Sequence, residues 1–74
     1  MVLEECAAGA RVTLRAVTAR HDERLRMAEL GFVPGAPIRV VGRGGGGRMV
    51  IALGDTRLGI DAPTGAALVV EPTW

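Results

Sequence analysis

The chain has 74 residues, of which 49% are hydrophobic and 23% charged, with a formal net charge of +1. This composition argues against disorder, and the balanced charge excludes the electrostatic footprint of a strongly basic nucleic-acid binder. The length allows one domain, residues 1–74, whose core must come from Val, Leu, Ile, Met and Ala, because there is one Phe, one Trp and no Tyr.

Residues 1–9 read as a weakly specified arm leading into the first strand. From Arg11 to Val17 the chain alternates, with Val12, Leu14 and Ala16 on one face and Arg11, Thr13 and Arg15 on the other. That period of two predicts a half-buried strand. Asp22 is placed to cap a helix, and Glu23 suits its first turn, where the helix dipole favours negative charge. Leu25, Ala28 and Phe32, with Met27 and Leu30 beside them, form the expected buried face, and Arg24 and Arg26 point outward.

Gly31 should end this helix, since glycine takes the left-handed conformation at the position after the C-cap without a steric cost. With Leu30 as the C-cap, Met27 and Phe32 are the pair expected to meet across it. Val33-Pro34-Gly35-Ala36 specifies a type II turn, with proline second and glycine third. Pro37 is tolerable as the first residue of a strand.

Ile38–Arg43 and Arg48–Leu53 read as the next two strands, joined by the glycine run Gly44–Gly47. Gly54-Asp55 fits a two-residue hairpin of type II′, followed by a fourth strand, Thr56–Asp61, with Leu58 and Ile60 facing the core. Asp61 can cap a short helical turn, and Ala67–Glu71 is the fifth strand, ending at Pro72. Short strands joined by tight turns predict a small, highly bent barrel.

The segment Arg26-Met27-Ala28-Glu29-Leu30-Gly31-Phe32-Val33-Pro34-Gly35 resembles the signature of the FeoA family of ferrous iron transport accessory proteins. The resemblance continues through Ile38-Arg39-Val40-Val41, Met49–Gly54, Thr56–Ile60 and Ala67–Val70, covering residues 10 to 71. It implies a mainly β, five-stranded SH3-like small barrel with one short α-helix inserted between strands 1 and 2. It also implies a cytoplasmic partner of FeoB, the membrane ferrous iron transporter with a GTP-binding domain. Many family members carry a longer hairpin between strands 2 and 3, where this chain has Gly42-Arg43-Gly44-Gly45-Gly46-Gly47-Arg48, so no function of that hairpin carries over.

Other motifs carry less. Gly42, Gly44 and Gly47 match a dinucleotide fingerprint, but a strand follows where a helix N-terminus must hold the pyrophosphate. Arg48 and Met49 stand where a phosphate-binding loop needs Lys and Ser or Thr, so the run reads as a hairpin tip. His21, Asp22 and Glu23 include ligand types that could hold Fe²⁺, yet adjacent residues converge poorly on one ion, and no metal or cofactor is expected. Cys6 lies beside Glu4 and Glu5 and lacks the basic neighbour that a reactive thiolate requires, so no enzyme activity is expected. All 9 basic residues are Arg, but with so few aromatics to stack bases, nucleic acid is not the expected partner.

The acidic N-terminus lacks the pattern of a signal peptide, and the longest apolar run, Met49–Leu53, falls far short of the roughly 20 residues that span a bilayer. With one cysteine, a cytoplasmic location is expected, without membrane insertion. The expected contact surface for the transporter is Arg24, Arg26, Met27, Leu30 and Phe32; self-association stays open. The alternative is a stand-alone regulatory or nucleic-acid-associated module related to the C-terminal domains of iron-dependent repressors.

Overall fold

The computed structural model describes residues 1–73. Five strands form one antiparallel sheet: β1 (Arg11–Val17), β2 (Pro37–Arg43), β3 (Met49–Leu53), β4 (Thr56–Ile60) and β5 (Leu68–Pro72), in the order β4-β3-β2-β1-β5. Helix α1 (His21–Glu29) lies between β1 and β2, and a second helix, α2 (Ala62–Ala67), joins β4 to β5. This is the SH3-like small barrel that the resemblance implied, bent tightly enough to enclose a core yet open between the edge strands β4 and β5.

Strand alternation builds the core. Val12, Leu14, Ile38, Val40, Ile51, Leu53, Leu68 and Val70 all point inward and are buried, with Met49 and Phe32 completing the cluster. Two irregularities bend the sheet. The β1–β5 register shifts between Leu14 and Ala16, and the β2–β3 register shifts between Val40 and Gly42. The first shift corrects the reading of β1: Ala16 is exposed, and Val17 packs against the core in its place.

The turns follow their local chemistry. The Ala36 N–H donates to the Val33 carbonyl at 3.0 Å and Gly35 has φ of +91°, the type II turn expected. At the β3–β4 hairpin, Gly54 has φ of +60°, while Asp55 keeps a negative φ, as a type II′ turn requires. The Asp61 carboxylate accepts from the Thr64 N–H at 3.0 Å and caps α2.

The N-terminal arm is no loose tail. A 3₁₀ turn at Leu3–Glu5 drives Leu3 and Cys6 into the core, and Val2 forms an isolated bridge with Val69 of β5. Gly65 of α2 lies directly over Glu4, so arm and helix together line the gap between the edge strands. The sequence hides this because only two apolar side chains in the arm face inward, too few to give a period. No helix among the described residues is long and apolar enough to cross a membrane.

Candidate protein-interaction site

Helix α1 has the sequence His-Asp-Glu-Arg-Leu-Arg-Met-Ala-Glu, and its three apolar residues cannot form a wide stripe. None of its residues is buried. Leu25 is 53% exposed, Leu30 62% and Val33 44%, and of the face expected from Leu25, Ala28 and Phe32 with Met27 and Leu30 beside them, only Phe32 is buried and Met27 half-buried. The start of the helix also differs. Arg20 occupies the N-cap, and Asp22 makes no capping bond but lies 3.8 Å from Arg20 and 4.0 Å from Arg26 as an exposed ion pair.

What holds α1 on the barrel is its C-terminal end. The Gly31 N–H donates to the Ala28 carbonyl and the Phe32 N–H to the Met27 carbonyl, both at 3.0 Å, with Gly31 at φ of +108°. These bonds define a Schellman cap, with Leu30 as the C-cap as expected. Phe32, only 4% exposed, anchors the cap in the core, and a Cβ on Gly31 would sit 3.2 Å from Leu53 Cδ2. The helix is therefore an outrigger, fixed at one end and leaving a groove on each side.

The first groove, about 410 Å³, has Phe32, Val33 and Leu25 as apolar walls and Arg15, His21 and Arg24 at its rim. The second, about 310 Å³, runs between Met27 and Leu30 on one side and Leu58 and Ile60 of β4 on the other, with Asp61 at its end. Phe32 lines both. The structure thus distributes the five expected contact residues: Met27 and Leu30 along the second groove, Arg24 along the first, Phe32 buried between them, and Arg26 in neither.

A third groove of about 570 Å³ lies beside the glycine run, lined by Arg43, Arg48, Val50, Gly59 and Ile60. The run is more than a solvent-facing tip. Gly46 and Gly47 both take left-handed φ, +71° and +77°, and a Cβ on Gly47 would meet the Ala62 Cβ at 2.7 Å. Arg43 reaches back from the end of β2 and donates through Nη1 to the carbonyls of Glu4 and Cys6, at 2.7 and 2.6 Å. Burial raises the Cys6 thiol above its ordinary pKa, and the Glu5 charge adds to this, while Arg43 and the N-terminal ammonium oppose it.

The sheet also lines up three of the surface arginines in a row that residue order does not show. The pairings Arg11–Arg39, Arg39–Ala52 and Ala52–Arg57 place Arg11, Arg39 and Arg57 in one line across the outer sheet face. None of the three pairs with a carboxylate among the described residues, where the ion pairs are Arg15–Glu71, Arg20–Asp22 and Arg26–Asp22. Strand pairing alone brings the three together. Among the described residues no three His, Cys, Asp or Glu side chains cluster as a metal site.

A family model described as the FeoA domain matches residues 1–72. The chain belongs to the FeoA family. Among solved structures, the zinc complex of FeoA from Stenotrophomonas maltophilia is 28% identical with a TM-score of 0.82, over 96% of this chain and 89% of that one. That protein is described as a prokaryotic SH3 domain protein and a candidate activating factor of bacterial ferrous iron transport. FeoA from Chlorobium tepidum is 26% identical with a TM-score of 0.87, over 97% of this chain and 70% of that one. A manganese-dependent transcriptional repressor, 21% identical with a TM-score of 0.85, shares the fold over 99% of this chain and 41% of its own length. No curated protein matches the sequence significantly.

Proposed function

We propose that this FeoA-family chain is a cytoplasmic accessory protein of ferrous iron transport that binds the FeoB-type membrane transporter and tunes its assembly or GTPase cycle. The observation that carries this reading is α1, which turns Leu25, Leu30 and part of Met27 toward solvent beside two apolar grooves. Apolar side chains so placed contribute little to the barrel and much to a partner that covers them. Among the described residues, both grooves are lined mainly by apolar side chains, with arginines at the rim of the first, which suits a binding module.

The test is co-purification of the chain with the FeoB-type transporter. Leu30→Asp should reduce capture at least about tenfold, equivalent to the roughly 1.4 kcal/mol that a modest hot spot supplies. Because Leu30 is exposed, the variant should keep a native circular dichroism spectrum. Undiminished capture by a folded Leu30→Asp protein would remove α1 from the contact surface.

A further inference from the structure

We propose that an extended partner segment, with acidic and apolar side chains in alternation, adds to the free edge of β4 as a further strand of the sheet. The backbone geometry is open for it. The Gly54-Asp55 turn makes Leu53–Thr56 the closing hydrogen-bonded pair of the hairpin, so Thr56, Leu58 and Ile60 bond to β3. The N–H and C=O groups of Arg57 and Gly59 then point away from β3. No hydrogen bond from any other described residue reaches them, and both residues are exposed.

The two faces of the edge specify the segment. Side chains of an added strand alternate between faces, so backbone bonds give affinity and the flanking surfaces give selectivity. On the inner face, the groove between β4 and α1 is walled by Met27, Leu30, Leu58 and Ile60, and takes an apolar side chain. On the outer face, an added residue beside Arg57 extends the row of Arg57, Arg39 and Arg11, which lacks carboxylate partners among the described residues. Opposite charges paired across strands stabilise a sheet and like charges oppose it, so the residue beside Arg57 is acidic. A second copy of β4 fits less well, because it would bring another Arg57 to the same basic face. Nucleic acid fits less well too, because neither β3 nor β4 carries an aromatic side chain to stack a base.

This deepens the transporter-binding reading and rests on it for the partner's identity, since the strand would lie along Met27 and Leu30. The direct probe is the peptide Glu-Val-Glu-Leu-Glu, capped at both ends, titrated into the full chain with amide exchange followed by NMR. The Arg57 and Gly59 amides should gain at least about tenfold protection. Raised salt should weaken the effect, and Lys-Val-Lys-Leu-Lys should not produce it. Equal binding of the two peptides, no protection at these amides, or displacement of the acidic peptide by a DNA duplex would overturn the proposal. So would protection that grows with protein concentration alone, which would assign the edge to a second copy.

In transporter co-purification, Gly59→Pro should lose capture and Gly59→Ala keep it, since a Cβ there meets nothing within 4 Å. Capture lost by Leu30→Asp but kept by folded Gly59→Pro would leave transporter binding standing and overturn strand addition. Capture lost by Gly59→Pro but kept by folded Leu30→Asp would support the edge site and reject the helix surface.

Discussion

Arg43 Nη1 lies 2.6 Å from the Cys6 carbonyl oxygen, tying the end of β2 to an arm thirty-seven residues earlier in the chain. The same nitrogen holds the Glu4 carbonyl at 2.7 Å, so one guanidinium satisfies two acceptors where the arm leaves its 3₁₀ turn. Replacing Arg43 with Met should therefore loosen the arm. We expect a loss of about 1–2 kcal/mol, allowing for the exposure of the arginine. Urea unfolding should show it as a lower midpoint with faster labelling of Cys6, and an unchanged midpoint would reduce the clamp to a surface contact.

The cap of α1 depends on one left-handed residue. Gly31→Ala places a Cβ at φ of +108° and 3.2 Å from Leu53 Cδ2, adding backbone strain to a tight contact. The expected cost is about 1–2 kcal/mol, or a fall in Tm of roughly 4–16 °C for a domain of this size. Calorimetry measures this, and a Tm within a degree of the parent would mean that the cap relaxes freely.

The glycines of the run are not equivalent. Gly47→Ala meets the Ala62 Cβ at 2.7 Å with φ at +77°, whereas a Cβ on Gly44 or Gly45 meets nothing within 4 Å. Gly47→Ala should cost about 1–3 kcal/mol, and Gly44→Ala and Gly45→Ala should stay within about 0.5 kcal/mol of the parent. Equal effects at the three positions would contradict the close approach of the run to α2.

Acid and alkali should act through different residues. The Asp61 carboxyl lies below its ordinary pKa of 3.8, chiefly because it accepts hydrogen bonds from Thr64. A depressed carboxyl contributes stability above that ordinary value and loses it as the pH falls through the folded-state value. The Cys6 thiol lies above its ordinary 9.0, mainly through burial, so its contribution is complete below pH 9.0 and is lost as the pH rises through the folded-state value. Asp61→Asn should flatten the acid limb of a stability-against-pH curve, and Cys6→Ala the alkaline limb. An acid limb of the same slope in Asp61→Asn would move that dependence to another carboxylate.

Much of the fold was legible because the signals were local. Strand alternation at Val12 and Leu14, the Pro34-Gly35 turn, the Gly54-Asp55 hairpin and the Gly31 cap each depend on a few neighbouring residues, and each forms as read. Where local rules failed, a longer-range contact had prevailed. The bulge after Leu14 turned Ala16 outward, and the position of α1 on the barrel rim left Leu25 and Leu30 in solvent.

The five strands, the helix between the first two and the family resemblance can be read from residue order, since periodicity, turn chemistry and the Leu-Gly and Pro-Gly steps act within short stretches of chain. Which surfaces are free emerges only from the folded sheet. The row of Arg11, Arg39 and Arg57 exists through cross-strand register, the arm is held by Arg43, and the β4 edge stays open because no later strand among the described residues pairs with it. Register, closure and exposure depend on how distant segments meet, and residue order expresses that only once the sheet has formed.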